Sequence, residues 1–138
     1  MTSDEFRELL ERLAHAWSTQ DTELGLGCFT EDASYTEPPD IQLYVGQEQL
    51  RPYFAALSVG TFMRFHTIAF DERSQRGFGE YSFGNERSET ADHGVAVVDV
   101  VDGRIAAWRE YQRKGVSDFA GFVATEGKTF EWHIGNYP

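Results

Sequence analysis

The sequence contains a single cysteine, Cys28, among its 138 residues. One thiol excludes an internal disulfide and any zinc site built from cysteines. The four histidines show neither HxxxH nor HxH spacing, and there is no phosphate-binding glycine loop and no GxSxG nucleophile motif. We therefore expect no metal and no other cofactor.

Positive charge is also scarce, with 12 Lys and Arg against 23 Asp and Glu and a formal net charge of -11. The basic residues are scattered, which argues against nucleic acid, and an anionic membrane would repel the chain. No apolar run approaches the ~20 residues of a membrane span. The acidic N-terminus, MTSDEFRELL, does not resemble a signal peptide. We expect a cytoplasmic protein that binds neither nucleic acid nor membrane.

The length suits one domain, residues 1–138, with a core that needs neither disulfide nor metal. Aromatic residues are abundant, at 14% of the chain including eleven Phe. Such a composition fits a large apolar cavity and fits a dense core equally well. The composition alone leaves this choice open.

Three helices are predicted in the first half of the chain. The first has capping-box spacing at Thr2 and Glu5 and an apolar stripe at helical spacing. Asp21 can cap a short second helix, Thr22 to Phe29. A third extends from Gly46 to Leu57, but Pro52 lies inside it, so we expect a kink or a late start.

Strands dominate the second half. Two short strands, Ala33 to Glu37 and Ile41 to Val45, are followed from Thr61 by alternating, β-branched and aromatic segments typical of long strands. Asp102-Gly103 predicts a tight hairpin between the last two. These patterns indicate an α+β fold in which the helices cover one face of a curved antiparallel sheet. The tail, residues 114–138, could add a short helix and a flap over a pocket.

Three segments, FTEDASYTEP, VGQEQLRPYF and VVDVVDGRIAAWREY, carry a resemblance to a known family. Together they resemble the nuclear transport factor two-like superfamily, and within it the SnoaL-like polyketide cyclase, ketosteroid isomerase and limonene epoxide hydrolase type. The resemblance covers roughly residues 5–113. It implies a cone-shaped, cystatin-like α+β barrel whose curled sheet surrounds a pocket closed by helices, often in a homodimer.

The resemblance also implies site residues. In ketosteroid isomerases the general base is an Asp before a Pro on the first strand, and Glu37-Pro38 falls there. In limonene epoxide hydrolases a Tyr on that strand helps to position the attacking water, and Tyr35 matches it. The catalytic Asp of their last-strand Trp-Arg-Asp-Tyr corresponds to Glu110. Tyr81 and Phe83 stand where those hydrolases carry an Arg and a second Asp, so epoxide hydrolysis is the weaker expectation.

Whether Glu110 faces a pocket depends on the register of the last hairpin. A two-residue loop places it opposite Val95, and a three-residue loop that includes Val101 places it opposite Gly94. We favour the second register, which pairs Trp108 with Ala96. It turns Trp108, Glu110 and Gln112 towards the cavity. Arg109 and Tyr111 then share the outer face with His93, Val95 and Val97, where a dimer partner could cover them.

The predicted catalytic residues are Glu37, Glu110 and His66. A carboxylate in an aromatic cavity should have a raised pKa, which suits acid-base work near neutrality. The alternative for Glu110 is an ion pair with Arg109 or Arg113, and for His66 a half-buried structural role. The predicted ligand-binding residues are Trp17, Tyr35, Tyr44, Tyr81, Phe83, Trp108 and Gln112.

The function expected from these residues is cofactor-free acid-base chemistry on a small apolar molecule with a carbonyl group. Isomerisation, dehydration and aldol-type cyclisation each need one positioned base and one acid. Two alternatives remain: a module that binds such a ligand without chemistry, and an interaction protein that works through its sheet or its tail.

Overall fold

The computed structural model describes residues 1–38, 42–129 and 131. Its elements follow the order predicted from the sequence and end with a short fourth helix. The helices are α1 (Ser3–Thr19), α2 (Thr22–Gly27), α3 (Gly46–Ala55) and α4 (Phe119–Val123). The strands are β1 (Phe29–Glu37), β2 (Gln42–Val45), β3 (Thr61–Asp71), β4 (Arg76–Asn85), β5 (Thr90–Val101) and β6 (Arg104–Val116).

The six strands form one curved sheet in the order β2-β1-β6-β5-β4-β3. The α+β class is confirmed, but the sheet does not close into a barrel, because β2 and β3 are its two edges. The sheet is also not purely antiparallel. Strand β1 runs parallel to β6, with Tyr35 beside Trp108, and this pairing brings two distant segments of the chain together.

Helix α1 forms as its sequence predicts. The Thr2 side chain accepts from the backbone N–H of Glu5, and the Glu5 carboxylate accepts from the backbone N–H of Thr2. Its apolar stripe is buried against the sheet. We call the sheet face towards α1 and α3 the inner face; it carries Tyr81, Ala96 and Trp108, which are all fully buried.

The hairpin between β5 and β6 differs from both predicted registers. The loop has two residues, and Asp102 (φ 48°) and Gly103 (φ 77°) both take the left-handed conformation that such a turn requires. Ala106 is then an extra residue, a β-bulge, so that Glu110 pairs with Ala96 and not with Val95 or Gly94. The bulge reverses the faces that a plain two-residue hairpin would give, and Glu110 therefore faces inwards.

Helix α3 begins at Gly46, so a late start is wrong, and it ends at Ala55 with Pro52 inside it. The Pro52 carbonyl still accepts a hydrogen bond from the N–H of Ala56, at 3.1 Å. Proline lacks an N–H, so the turn before Pro52 loses one helical hydrogen bond. Packing supports the helix instead, since Leu50 and Phe54 are buried in the core.

Helix α4 of the tail lies on the outer face of the sheet, opposite α1. Helix α4 places Phe119 against the ring of His66, 3.6 Å between centroids, and Phe122 against the ring of His93, at 4.1 Å. Gly115 leaves room for Phe122, because a Cβ at residue 115 would lie 2.4 Å from that ring. Residues 119–123 therefore do not cover the inner face, and residues 130 and 132–138 of the expected flap lie outside the described residues.

The single cysteine is buried at the end of α2. Cys28 is a free thiol with no exposed surface, and burial raises its pKa to about 11. The thiol therefore remains protonated near neutral pH. No helix within the described part of the chain is both long enough and apolar enough to cross a membrane.

Candidate functional site

A cavity of about 160 Å³ lies between the inner face of the sheet and the helices that cover it. Its wall combines aromatic rings with three carboxyl groups. The lining residues are Trp17, Tyr35, Glu37, Tyr53, Met63, Phe83, Asp92, Glu110 and Gln112. The cavity is thus the place where two of the predicted catalytic residues, Glu37 and Glu110, meet.

Glu110 is held by three hydrogen-bond donors. The Tyr35 hydroxyl donates to its Oε1 at 2.9 Å, and the indole N–H of Trp108 donates to its Oε2 at 2.9 Å. The Tyr81 hydroxyl also approaches Oε2, at 3.1 Å. The Tyr81 hydroxyl has one proton and also lies 3.0 Å from Gln112 Oε1, so it is shared between the two acceptors. Both oxygens of Glu110 are thus held in place by donors.

The charge on Glu110 is unfavourable in this setting. The side chain is almost fully buried, and burial is the largest cause that raises its pKa, to about 7. Hydrogen bonds from Trp108 and Tyr35 lower the pKa, whereas a hydrogen bond with Glu37 and repulsion from its charge raise it. Glu110 can therefore exchange its proton near neutral pH, as general acid-base chemistry requires.

The tyrosines of the site remain protonated. Burial is the main reason why the pKa values of Tyr35 and Tyr81 are raised well above the ordinary range, and the charge of Glu110 raises both further. Tyr53 is shifted in the same direction, again chiefly by burial. The hydroxyls of Tyr35 and Tyr81 are consequently stable donors that orient Glu110.

Glu37 lies at the end of β1 and is only partly buried. The side-chain amide of Gln42, on the neighbouring strand β2, donates to Glu37 Oε1 at 2.6 Å. This bond fixes one carboxylate oxygen of Glu37. Glu37 also makes the side-chain hydrogen bond that helps to raise the pKa of Glu110, so the two carboxyl groups meet in the cavity wall.

Four of the seven predicted ligand-binding residues line the cavity: Trp17, Tyr35, Phe83 and Gln112. Tyr81 and Trp108 do not border it but lie behind Glu110 as its hydrogen-bond donors. Tyr44 does not line it either. Its ring stacks on Tyr53 at 4.9 Å and packs against Tyr35 at 6.3 Å, so it supports the wall from outside.

His66, the third predicted catalytic residue, lies on the outer face of the sheet, away from Glu37 and Glu110. It is the extra residue of a bulge in β3, and its Nε2 lies 2.7 Å from the Ser82 hydroxyl on the outer face. Ser82 is in turn 2.7 Å from Nδ1 of His93. The sheet separates this group from the cavity. Met63 and Phe65 both point inwards, so strand alternation predicts that the next residue, His66, points outwards.

Three lining residues were not predicted from the sequence: Tyr53, Met63 and Asp92. Tyr53 follows Pro52 in α3. Because that proline left the course of the predicted helix open, the direction of the Tyr53 side chain could not be predicted. Asp92 pairs with inward-facing Phe83 across β4 and β5, and Lys114 lies 3.8 Å from its carboxylate. The favoured register had already placed Gly94 opposite inward-facing Glu110, so strand alternation from Gly94 would have found Asp92.

The residues that could bind a metal ion are dispersed. Within the described ranges, no group of three or more His, Cys, Asp or Glu side chains is arranged to hold one. Glu37, Asp92 and Glu110 share a cavity wall without forming such a group.

Solved structures with the same fold define the class of protein to which this architecture belongs. A protein of unknown function with a cystatin-like fold from Methylobium petroleophilum has a TM-score of 0.73 and 14% identity, covering 95% of this chain and 99% of that one. An epoxide hydrolase from M. tuberculosis, similar to the limonene type, has a TM-score of 0.67 and 17% identity, covering 80% and 84%. A hypothetical protein with a ketosteroid isomerase-like fold from Catenulispora acidiphila, in complex with trimethylamine, has a TM-score of 0.63 and 15% identity, covering 75% and 84%. At these identities the likeness shows the nuclear transport factor two-like fold.

The sequence narrows this class to a family. Residues 10–108 match the model of the SnoaL-like domain, which is most of the chain, and the protein belongs to that family. The family prediction from the three sequence segments is thereby confirmed. A comparison with curated proteins found no match.

Proposed function

We propose that this protein is a cofactor-free enzyme that moves a proton next to the carbonyl group of a small, largely apolar molecule. The observation that carries the proposal is the pairing of Glu37 with Glu110 in one cavity wall, where burial holds the pKa of Glu110 at about 7. Two carboxyl groups in different environments can divide the roles of acid and base.

The less buried Glu37 is the base in this proposal, and buried Glu110 is the acid. Glu37 takes a proton from the carbon beside the carbonyl, while Glu110 gives its proton to the carbonyl oxygen, which leaves an enol. The return path delivers a proton to carbon and restores Glu110. An isomerase, a dehydratase and a cyclase share this first step.

The size and lining of the cavity support a small ligand. Its volume of about 160 Å³ lies below the roughly 300 Å³ at the lower end of drug-sized pockets. Trp17, Tyr53, Met63 and Phe83 supply apolar surface, and the carboxyl groups supply polarity. A single-ring ketone suits this space, whereas a four-ring steroid is too large for it.

Exchange of hydrogen for deuterium tests proton transfer without knowledge of the natural substrate. Cyclohexanone in D₂O would be incubated with the protein, and loss of its α-proton NMR signal followed. We expect catalysed exchange that falls at least tenfold in Glu37→Gln and in Glu110→Gln. Glu80→Gln is the matched control, since Glu80 bonds Thr67 away from the cavity, and its rate should equal that of the wild type. Unchanged exchange in both cavity variants would overturn the proposal.

A binding module without chemistry is the second candidate. The three donors on Glu110 favour it, because such a network also suits a purely structural carboxylate. Cyclohexanone that binds in the cavity but shows no catalysed exchange in the wild type would support this candidate over the first.

A homodimer formed through the outer face, in the cytoplasm, completes the proposal. Phe78 is 39% exposed and Tyr111 52% exposed on that face, and a groove of about 440 Å³ lies beside Phe78 and Val97. A second copy of the chain would cover this apolar surface. The free thiol of Cys28 fits a reducing compartment.

A further inference from the structure

Trp17 has a buried hydrogen-bond donor without an acceptor. Among the residues that the structure describes, its indole Nε1 is the one buried side-chain nitrogen or oxygen that lacks a partner, and the residue is only 3% exposed. An unpaired buried donor destabilises the folded state, and native proteins pair nearly all such groups. The position of this N–H therefore requires an explanation.

The packing of the Trp17 ring explains its place but not its N–H. The ring meets the edges of three aromatic neighbours: Phe54 at 5.5 Å, Phe83 at 5.8 Å and Trp108 at 6.0 Å between centroids. A phenylalanine ring would make comparable contacts without the cost of a polar atom. Trp108 provides the contrast, since its own indole N–H donates to Glu110.

The location of Trp17 indicates what could supply the acceptor. Trp17 is part of the cavity wall, together with Glu37 and Glu110. The indole N–H is a donor only and does not ionise in the physiological range, so it can orient an oxygen atom but cannot act as the acid or the base. None of the side-chain oxygens in the cavity wall is bonded to this N–H, so its acceptor would have to come from a ligand or from a water that a ligand displaces.

We propose that the indole N–H of Trp17 donates a hydrogen bond to an oxygen of the bound molecule, and that Trp17 is thereby a positioning and specificity-determining residue. The ligand class is a small molecule with a carbonyl or enol oxygen. Choice of that class rests on the proposed function, but donation by Trp17 does not require catalysis. When proton transfer occurs, the N–H stabilises the oxygen on which negative charge develops, beside Glu110.

The test uses the intact protein labelled with ¹⁵N. The chain has three tryptophans, Trp17, Trp108 and Trp132, so its indole N–H spectrum contains three signals, and Trp17→Phe identifies the one from Trp17. Should that variant not fold, Trp132→Phe and contacts to the Phe54 ring assign the signal in the wild type. The probes are cyclohexanone and methylenecyclohexane, which have nearly the same shape but differ in the oxygen acceptor.

We expect cyclohexanone to move the Trp17 signal downfield, because a new acceptor deshields the proton, and methylenecyclohexane to leave that signal nearly in place. Cyclohexanone should also bind about tenfold more tightly, the equivalent of one net hydrogen bond, and Trp17→Phe should abolish this preference. Equal effects of the two probes would overturn the proposal. The proposal would also be overturned if cyclohexanone did not bind. The same holds if the Met63 methyl signal, which reports binding in the cavity, moved while the Trp17 signal stayed fixed.

The two proposals can fail separately. A shifted Trp17 signal without hydrogen exchange would support Trp17 as the donor and reject the enzyme. Catalysed exchange with an unshifted Trp17 signal would support the enzyme and reject Trp17 as the donor.

Discussion

The hydroxyl of Tyr35 donates to Oε1 of Glu110 at 2.9 Å, although the two residues are 75 positions apart in the chain. The parallel pairing of β1 with β6 makes this contact possible, since it sets Tyr35 beside Trp108. The bond orients Glu110 and stabilises its ionised form, because a charged acceptor strengthens a hydrogen bond. It therefore contributes to setting the pH at which Glu110 titrates.

Removal of the Tyr35 hydroxyl should raise the pKa of Glu110 above its value of about 7. In Tyr35→Phe the carboxylate loses one donor, which corresponds to an increase of about one pKa unit. The carboxyl ¹³C signal of Glu110, followed by NMR titration, would report it. Tyr44→Phe is the control, because Tyr44 contacts Tyr35 but not Glu110 in the hydrogen bonds described. A titration midpoint that does not move in Tyr35→Phe would contradict the assignment.

Glu110 should make the protein less stable as pH rises. Its pKa is higher in the folded chain, about 7, than the ordinary 4.5, so the folded state binds the proton more tightly than the unfolded state does. The stabilising effect of the protonated form is complete below about pH 4.5 and is lost as pH rises through 7.

The difference in unfolding free energy between the wild type and Glu110→Gln isolates this effect, because both proteins contain all the other titrating groups. The wild type should lose about 3 kcal/mol of unfolding free energy relative to the variant between pH 4.5 and 8. Urea unfolding across this range measures the difference. A constant difference would show that the environment of Glu110 does not shift its pKa.

The rate of exchange should depend on the protonation state of Glu110. If protonated Glu110 is the acid, the exchange of cyclohexanone should be slower above about pH 7, with the midpoint set by Glu110. The initial rate of α-proton exchange from pH 5.5 to 9 gives the profile. A rate that increases through pH 7 would assign Glu110 to the role of base instead.

The histidine group on the outer face should affect stability but not chemistry. Ser82 lies between His66 and His93, both at 2.7 Å, and His93 is only 3% exposed. Ser82→Ala removes this shared partner, so we expect a loss of about 1–3 kcal/mol in urea unfolding. Exchange of cyclohexanone should stay within twofold of the wild type in both Ser82→Ala and His66→Ala. A tenfold loss of exchange in either folded variant would show that the histidine group on the outer face takes part in the reaction.

The homodimer should depend on the outer face. A charge placed at Val97 or Tyr111 would be buried against the second copy without a partner, so Val97→Asp and Tyr111→Glu should produce monomers. Light scattering at micromolar concentration measures the mass. Leu43→Asp is the control, because Leu43 is 61% exposed on the edge strand β2. A wild-type monomer, or a dimer that survives both outer-face changes, would reject this interface.

Local patterns in the sequence determined much of the fold. The capping box of Thr2 and Glu5 and the apolar stripe of α1 depend on neighbours only a few residues away, and both were predicted correctly. The position of the turn at Asp102-Gly103 was also predicted, but the favoured three-residue loop was wrong. The family followed from short segments for the same reason. The acidic pair Glu37 and Glu110 could also be named in advance, through its position in those segments.

Tertiary structure decided the site itself. The bulge at Ala106 and the bulge at His66 each depend on how two strands fit together, and a single extra residue changes which face a side chain occupies. The parallel contact between β1 and β6 joins Tyr35 to Glu110 across most of the chain. The raised pKa of Glu110, caused chiefly by burial, and the unpaired N–H of Trp17 are properties of the packed core and not of any short stretch of sequence.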